Sequence, residues 1–427
     1  MPLSRKPAAA SAPPPSFFVR VSAPGTGGIA TYVLDGWGLA SRLQPIFRSK
    51  RELRLSESGD LIFGRLIDRN GGVIDEAIVS FLGSNETATG FEQIELSCHG
   101  GAGASLAVED ALLKAGFERG TGADLLARGH LNNKLSIVAV EAQLLLARAA
   151  TARQAEFLLG GSVFQKRWEH LGFDAAMGLR SGDPAWRAKT LDTARNEIAA
   201  AKGGMALLRH HHAVLAGPVN AGKSTLANLL ARIDKHIVSS IPGTTRDRLD
   251  TRVCVRGLDV TLSDTAGLRD AEGEIEREGQ RRARAALDTA ALRVIVLDGS
   301  RPPAEADLEL IAQCTALGPS LLVLNKEDLG LDESAEGLGF LAGVEPVALS
   351  ARSGAGAERL EAAIETALLN GATPKPGDAF TQRQINVLNE IKDCLENGWE
   401  DTMVIRSISK LIGTRAQPEQ LQIVLKS

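Results

Sequence analysis

The sequence predicts a multidomain protein with an α/β domain inserted into an α-helical domain and an α+β domain at the N-terminus. Three observations support this prediction. The chain has 427 residues, which exceeds the size of one ordinary hydrophobic core. Its pattern changes from short apolar alternations to helical periodicity, and then to alternating strand-like and helical runs. Helical segments lie on both sides of the alternating region, so we expect that region to be an insertion.

The domain boundaries are expected where this pattern changes. Residues 1–15 are rich in proline and alanine and predict a disordered lead-in. The α+β domain is expected at 16–122 and the α/β domain at 209–372. The helical domain is expected in two parts, at 123–208 and 373–427, with the breaker-rich segment NGATPKPGD at the second junction.

The individual elements follow from residue periodicity. In the first domain, alternating apolar and polar runs predict strands at SFFVRVS, DLIFGRLI and FEQIELSCHGG, and ASLAVEDALLKAG predicts a helix. In the helical domain, apolar residues recur every three or four positions in LSIVAVEAQLLLARAATARQAEFLLGG, PAWRAKTLDTARNEIAAAKGGMALL and TQRQINVLNEIKDCLENGWEDTMVIRSISKLIG. Five apolar runs predict the strands of a parallel sheet in the α/β domain: AVLAG, VTLSD, LRVIVLD, LLVLN and EPVALS.

Composition and charge exclude several classes of protein. The net charge is −4, so the molecule as a whole does not attract nucleic acid through its field. The four cysteines form no CxxC pair, which favours buried reduced thiols over a zinc site or a disulfide framework. We find no apolar run of about eighteen residues and no signal peptide, and we expect a cytoplasmic protein without a membrane span.

The segment GPVNAGKSTL, Gly217 to Leu226, has the form of a phosphate-binding loop between a strand and a helix. Its glycines let backbone N–H groups turn toward phosphate oxygens. Lys223 is expected to reach the β- and γ-phosphates as a catalytic residue, and the Ser224 hydroxyl is expected to ligate Mg²⁺. The nucleotide contacts predicted in this loop are Asn220, Ala221, Gly222, Lys223, Ser224 and Thr225.

Two further segments predict the groups around the terminal phosphate. In DTAGL, the Asp264 carboxylate is expected to approach Mg²⁺ through water, and the Gly267 N–H is expected to meet the γ-phosphate. In IPGTTRD, Thr244 and Thr245 are expected to contact the nucleotide. The Thr245 hydroxyl is a further Mg²⁺ ligand when this loop orders around a triphosphate.

The segment NKED, Asn325 to Asp328, predicts that the base is guanine. A carboxylate at Asp328 can accept hydrogen bonds from the N1–H and the exocyclic amine of guanine, whereas adenine has neither donor in that arrangement. The Lys326 stem is expected to pack along the purine face. In ALSARSG, Ser350 and Ala351 are positioned for a backbone N–H to guanine O6. Together, these motifs predict a P-loop GTPase domain that binds GTP and GDP.

The residues alone leave open which group orients the attacking water. Leu268 follows DTAG and cannot hydrogen-bond water. The next stretch offers five acids, of which one is expected to orient water and most are expected to be solvated: Asp270, Glu272, Glu274, Glu276 and Glu278. Asn220 is either a ligand for a monovalent cation beside the phosphates or a routine turn residue. In the first case, backbone carbonyls of Ser239 and Ile241 complete the cation shell.

These motifs resemble the G domain of the MnmE/TrmE family of tRNA-modification GTPases: PVNAGKS, PGTTRD, DTAGLR with IEREG, NKED and LSARSG. Other segments are similar to the family's folate-binding-type and helical domains: APGTGGIA, LGSNETATGFEQIELSCHGG and HLNNKLSIVAVEA. The resemblance covers about residues 18 to 395 and implies a tetrahydrofolate-binding-like fold for the N-terminal domain. The family's layout, a helical domain interrupted by the G domain, matches the one predicted above.

The resemblance implies a potassium-stimulated GTPase that forms a homodimer through its G domains. Carried over by position, Asn220 is the K⁺ ligand and Glu276 is the catalytic acid that positions water. The N-terminal domains of the family also dimerise and bind a tetrahydrofolate derivative, for which we assign no residue. The implied partners are tRNA and an MnmG-like flavoprotein, with which family members modify wobble uridine at position 34.

The chain departs from the family pattern in several segments. It ends in QLQIVLKS without a Cys-Ile-Gly-Lys-type tail, and the family's TGE, NDKLDL and GRGG segments read TGF, NNKLSI and GTGG. We therefore expect a divergent member. The alternative is a GTPase switch without modification chemistry, such as an Era-like ribosome-assembly or regulatory factor. An RNA-binding module after the G domain would favour that alternative, and none is apparent in the sequence.

Overall fold

The computed structural model describes residues 15–23, 25, 27–51, 53, 59–233, 250–264, 281, 284–338 and 345–413. The described chain divides into two compact units. The first consists of the residues up to Val140 together with Ile412 and Gly413, and the second is Glu141–Leu411. Residues 1–14 of the expected lead-in lie outside the described part of the chain.

The first unit is built on a seven-stranded sheet with the order β3-β4-β5-β6-β2-β1-β7. Its strands are β1 Phe17–Arg20, β2 Ile29–Gly36, β3 Phe47–Ser49, β4 Leu61–Ile67, β5 Val73–Leu82, β6 Glu92–His99 and β7 Glu118–Arg119. Neighbouring strands are antiparallel except β1 and β7. The helices that begin in its described residues are α1 Leu39–Leu43, α2 Ala102–Lys114, α3 Gly122–Leu131 and α4 Ile137–Leu146.

The core of the first unit joins this sheet to α1 and α2. Alternate side chains of β2 and β6 point into it, and Tyr32, Leu34 and Leu96 are fully buried. The Phe18 and Tyr32 rings pack edge to face with centroids 6.1 Å apart. The runs predicted as strands here are β1, β4 and β6, and the predicted helix is α2. The strands β2, β3, β5 and β7 were not among the predicted runs.

The second unit contains further helices and a six-stranded sheet. Its described helices are α5 Ala152–Leu159, α6 Gly161–Ser181, α7 Ala185–Leu208, α8 Lys223–Ile233, α9 Glu305–Leu317, α10 Glu333–Glu336, α11 Ala357–Leu368, α12 Gln382–Glu396 and α13 Asp401–Ile412, with a helical segment at 284–289. Its strands are β8 His210–Ala216, β9 Asp250–Val255, β10 Leu258–Asp264, β11 Leu292–Asp298, β12 Ser320–Asn325 and β13 Val347–Ala348. Among the described helices, none has the length and apolar character needed to cross a bilayer.

Two of the predicted helical stretches are divided by local signals. The first separates into α4, α5 and the start of α6, because the Thr151 side chain caps α5 by accepting from the Gln154 N–H at 3.2 Å. The last separates into α12 and α13 around Gly398, whose φ of 67° lies in the left-handed region. The break before α5 and the break between α12 and α13 therefore each have a residue that begins or ends a helix.

Helices from before and after the six-stranded sheet pack together, with α12 against α7. A buried ion pair joins the same two parts of the chain. The Arg383 guanidinium donates to both Glu141 oxygens at 2.7 and 2.8 Å. Glu141 also accepts from Thr381 and Gln384 at 2.8 and 2.9 Å. A buried charge is tolerated only when it is paired and hydrogen-bonded in this way.

The sheet of the second unit has the order β13-β12-β11-β8-β10-β9. Five strands run parallel, as predicted, whereas β9 runs antiparallel to β10. The two are joined by Arg256 and Gly257, with φ of 48° and 83°. Such a two-residue turn fits the strand twist and reverses the chain, so β9 cannot be parallel.

The polar ends of the parallel strands meet at one edge of this sheet. The phosphate-loop sequence follows β8, while β10, β11 and β12 end at Asp264, Asp298 and Asn325. Ligands of open α/β sheets bind outside the carboxyl ends of the strands. This edge is therefore where a binding site is expected.

Candidate nucleotide-binding site

The loop between β8 and α8 depends on glycines at two crowded positions. Gly222 has φ of 95°, and a Cβ there would lie 2.2 Å from Nδ2 of Asn325. Gly217 has φ of 156°, and a Cβ there would lie 2.2 Å from the Val296 carbonyl oxygen. Asn220 also has a left-handed φ, of 64°. The loop is consequently held in a conformation that only small residues allow at both ends.

Lys223 is the first residue of α8 and lies almost entirely inside the loop, with 4% of its surface exposed. Its Nζ donates to the carbonyl oxygens of Gly217 and Pro218 at 2.9 and 2.8 Å. The ammonium is thus held within the curve of the loop. A group that binds phosphate here is also close to the N-terminus of α8, whose backbone dipole favours negative charge.

Asn325 ties three loops together at the end of β12. Its Nδ2 donates to the Ala221 carbonyl at 2.7 Å, and its Oδ1 accepts from the Ala351 N–H at 2.9 Å. The side chain is 3% exposed. Loss of either bond would leave a buried polar group unsatisfied, which is unfavourable in free energy. These two bonds therefore fix the spacing of the loops.

The Ser350 loop is closed by its own hydrogen bonds. The Ser350 N–H donates to the Ala355 carbonyl at 2.9 Å, and the Gly354 N–H donates to the Ser350 carbonyl at 2.8 Å. The Ala351 N–H is bonded to Asn325, as described above. The two N–H groups predicted to meet guanine O6 therefore each have an acceptor within the protein.

Lys326 follows Asn325 with a left-handed φ of 68°. Its Nζ donates to Oδ2 of Asp298, the last residue of β11, at 2.6 Å. Burial alone would raise the pKa of Asp298, but hydrogen bonds from Lys326 and Ser300 outweigh it and hold the pKa below its ordinary value. The Asp298 carboxylate is therefore ionised at neutral pH.

Two oxygen groups meet beside the phosphate loop. The Ser224 hydroxyl, in the first turn of α8, donates to Oδ2 of Asp264 at 2.6 Å. Asp264 ends β10 and is half-buried, whereas Ser224 is exposed. A hydroxyl and a carboxylate are hard oxygen donors of the kind that Mg²⁺ prefers.

One cavity of about 570 Å³ collects most of the predicted site residues. The predicted residues in its lining are Asn220, Gly222, Lys223, Ser224, Thr225, Asn325, Lys326, Asp328, Ser350 and Ala351. Ala221 lies behind the lining through its bond to Asn325, and Asp264 reaches the site through Ser224. The lining also contains Val219, Leu329 and Arg352, which were not among the predicted site residues. Val219 and Arg352 lie within recognised motifs, and Leu329 directly follows one.

Several predicted site residues lie outside the described part of the chain. These are the loop residues Thr244 and Thr245, the potassium-shell residues Ser239 and Ile241, and Gly267 and Glu276 after DTA. Leu268 and the other acids of that stretch lie there as well. Their roles remain predictions.

The three consecutive histidines of β8 have separate partners. His210 Nδ1 lies 2.8 Å from Asp259, His211 Nε2 lies 2.8 Å from the Ala206 carbonyl, and His212 Nε2 lies 2.6 Å from Ser263. Burial lowers the pKa of His211. In the ranges that the structure describes, no three histidine, cysteine or acidic side chains are grouped to hold a metal ion.

Comparison with known proteins gives matches over both units. Residues 17–134 match the family model described as GTP-binding protein TrmE N-terminus, and residues 212–326 match 50S ribosome-binding GTPase. The tRNA modification GTPase MnmE of Chloroflexus aurantiacus is 34% identical over 371 residues, covering 83% of this chain and 82% of that protein. MnmE of Roseiflexus sp. is 33% identical over 398 residues, covering 84% and 83%. The solved FeoB G domain of Methanococcus jannaschii is 27% identical and covers 38% of this chain and 98% of its own, with a TM-score of 0.29.

Proposed function

This chain belongs to the MnmE family of tRNA modification GTPases and is a GTP-hydrolysing enzyme of tRNA modification, and we propose that GTP binds in the cavity beside Asn325. The observation that most directly supports this site is the bonding of Asn325 to both Ala221 and Ala351. Those bonds bring the phosphate loop, the NKED segment and the Ser350 loop around one cavity. A nucleotide spanning that cavity meets phosphate-binding groups at one end and base-recognition groups at the other.

Guanine selection is assigned to Asp328. This exposed carboxylate lines the cavity and has the two acceptor oxygens that the N1–H and amine of guanine need. Adenine would leave the carboxylate unpaired against the base, a mismatch worth roughly 10⁴–10⁵ in discrimination when the site is desolvated. A contact of the Ala351 N–H with guanine O6 then requires a three-centre hydrogen bond shared with Asn325.

Phosphate binding is assigned to the loop and to Lys223. The ammonium is already held by two loop carbonyls, so it needs no large movement to lie beside the β- and γ-phosphates. GTPases of this family generally use Mg²⁺, and the oxygen pair of Ser224 and Asp264 suits that ion. We propose that Ser224 and Thr245 ligate it directly and Asp264 through water. When bound, the ion supplies charge neutralisation between the β- and γ-phosphates.

Water positioning is assigned to Glu276 and potassium binding to Asn220. Asn220 lines the cavity at the phosphate loop, where its backbone has a left-handed φ of 64°. The carbonyls of Ser239 and Ile241 are proposed to complete the K⁺ shell. A cation there offsets the charge that develops as the terminal phosphate leaves.

The outer parts of the chain are proposed to follow the family layout. The packing of α12 on α7 supports a G domain at 209–372 inserted into a helical domain at 123–208 and 373–427. The domain at 16–122 is proposed to have the folate-binding-type fold, to bind a tetrahydrofolate derivative and to help form a homodimer. The proposed partner is an MnmG-like flavoprotein, acting with the chain on wobble uridine 34 of tRNA in the cytoplasm. Co-purification from cells, folate titration and sedimentation of the full chain test these assignments.

The guanine pocket is tested by nucleotide titration of the wild-type chain and of Asp328→Asn. We expect the wild type to bind GDP at least about 1,000-fold more tightly than ADP. In Asp328→Asn the side-chain amide NH₂ faces the exocyclic amine of guanine, so GDP binding weakens. Xanthosine diphosphate has a carbonyl at that position and is expected to bind this variant better. Equal affinity of the wild type for GDP and ADP would refute the assignment.

The biological role is tested by nucleoside analysis of tRNA from a strain without this protein. Loss of the modified wobble uridine, restored by the wild type and not by Asp328→Asn, is the expected result. Unchanged nucleosides would contradict the proposed substrate, whatever the nucleotide affinities show.

A further inference from the structure

The ammonium of Lys326 is paired with a carboxylate that does not line the nucleotide cavity. Nζ lies 2.6 Å from Oδ2 of Asp298, whose side chain is 14% exposed, while that of Lys326 is 31% exposed. The other oxygen of Asp298 accepts from the Ser300 N–H and hydroxyl at 3.1 and 2.6 Å. Both oxygens of the carboxylate therefore have fixed donors.

The backbone around this pair is also closely held. The Gly299 N–H donates to the Asn325 carbonyl at 2.8 Å, and a Cβ on Gly299 would lie 2.7 Å from Leu331. Lys326 has the left-handed conformation that non-glycine residues rarely adopt, and its carbonyl accepts from the Leu329 N–H at 2.9 Å. The end of β11 thus lies against the base-recognition segment through backbone as well as side-chain contacts.

We propose that Asp298 is a positioning residue for guanine nucleotides, which holds Lys326 so that the lysine stem forms one wall of the base pocket. The inference rests on the proposed function, because it requires a purine in this cavity. Asp298 acts through Lys326, since only Lys326 of the two lines the cavity.

The physical advantage is a side chain that is ordered before the base arrives. An unrestrained lysine loses rotamer freedom when a ligand packs against it, and that loss weakens binding. Here the ammonium has a fixed partner on the side of β11, so the apolar stem can pack along the purine while the charge stays paired. This ordering is expected to increase the affinity for the nucleotide. It is not expected to change the rate of hydrolysis, because other residues bind the phosphates.

The inference is tested with Asp298→Asn in the full chain, which keeps the shape of the side chain and removes its charge. We expect the Kd for a fluorescent GDP analogue and the KM for GTP to rise about five- to thirty-fold, with kcat unchanged. The matched control is Ser300→Ala, which removes a neighbouring bond to Asp298 and leaves the Lys326 pair intact. We expect its Kd to stay within about two-fold of the wild type.

A second variant shows whether Asp298 works through the lysine. Lys326→Met keeps an apolar stem and removes the ammonium, so adding Asp298→Asn to it is expected to change the Kd no further. Effects that multiply would show that Asp298 acts by another route and would overturn the inference. Wild-type or tighter binding in Asp298→Asn would overturn it too.

The outcomes separate this inference from the proposed function. If the wild type prefers guanine nucleotides and Asp298→Asn binds them equally well, only the positioning role is wrong. If the wild type shows no such preference, the proposed function fails and the positioning role fails with it.

Discussion

Single residues set the geometry of the site through bonds that cross between loops. Asn325 is the strongest example, because one buried amide satisfies a donor and an acceptor on two different loops. Gly222 lies against the same amide, and a side chain at that position would collide with it. The requirement for glycine at one position and for asparagine at the other therefore has a single physical cause.

Replacing Asn325 by alanine is expected to loosen the nucleotide pocket. Two buried hydrogen bonds are lost, and the Ala221 carbonyl and Ala351 N–H are left without that partner. At about 1–3 kcal/mol for a buried unsatisfied group, we expect the Kd for GDP to rise about 10- to 100-fold. Titration with a fluorescent GDP analogue measures this.

The control for that experiment is Asn389→Ala. Its amide donates to the Ile385 carbonyl of its own helix at 3.0 Å, and Asn389 is not in the cavity lining. GDP affinity is expected to remain at the wild-type value. An Asn325→Ala protein that binds GDP as the wild type does would show that the loops are spaced by other contacts.

At the scale of elements, the β9–β10 hairpin connects the site to the helices that precede the sheet. One end of β10 carries Asp264, beside Ser224. At the other end, the Thr151 hydroxyl at the start of α5 donates to the Gly257 carbonyl at 2.7 Å. Along the hairpin, Asp259 accepts from Arg252 at 2.7 and 2.8 Å. This charged pair therefore links β10 to β9, which is the end strand of the described sheet.

The contribution of Asp259 to the hairpin is expected to disappear in acid. Burial alone would raise its pKa, but hydrogen bonds from Arg252 and His210 outweigh burial and lower the pKa below the usual value. A lowered folded-state pKa means stability that is present above the unfolded pKa of about 3.9 and lost as pH falls through the folded pKa.

Hydrogen exchange of the β9 and β10 amides in Asp259→Asn measures this effect. We expect the variant to lose protection at pH 7, and its difference from the wild type to shrink below about pH 4. The exposed Asp250, on the paired strand β9, is the control, and Asp250→Asn is expected to have a smaller effect. A difference that stays constant down to pH 3 would contradict the assigned pKa shift.

At the scale of the whole molecule, a buried ion pair joins helices that lie far apart in the sequence. Arg383 and Glu141 are 242 residues apart and form a buried pair with donors on both carboxylate oxygens. This pair fixes the helix after the sheet to the helix region before it.

The cation dependence of turnover belongs to this scale, because the proposed K⁺ site and G-domain pairing require the assembled protein. We expect GTP turnover of the full chain to be faster in KCl than in NaCl at equal ionic strength. Asn220→Ser is expected to reduce that ratio, and Glu276→Gln to lower kcat by about 100-fold or more with GDP affinity retained. Steady-state phosphate release in both salts, with sedimentation of the same samples, measures the effects.

The variant Arg352→Ala provides a comparison, since Arg352 lines the base end of the cavity and has no assigned part in hydrolysis. Its ratio of turnover in the two salts is expected to match the wild type. Equal turnover of the wild type in potassium and in sodium would contradict the cation-assisted mechanism.

The sequence by itself determined the nucleotide motifs and most elements that present them. Phosphate loops require glycine because backbone N–H groups must approach an anion, and guanine recognition requires a carboxylate. Those are local demands on residue type, so they can be recognised in a short segment. The strands β8, β10, β11, β12 and β13 were predicted for the same reason, since strand periodicity is local.

Only the tertiary structure decided which of these groups support one another. The bond from Asn325 to Ala221 spans 104 residues and the bond from Lys326 to Asp298 spans 28. Asp298 ends its strand with a polar residue, as Asp264 and Asn325 end theirs. Its pairing with Lys326 depended on β11 and β12 lying side by side. The antiparallel course of β9 likewise depended on the turn at Arg256 and Gly257. Hydrogen bonds form between groups that are close in space, and periodicity along the chain carries no measure of that distance.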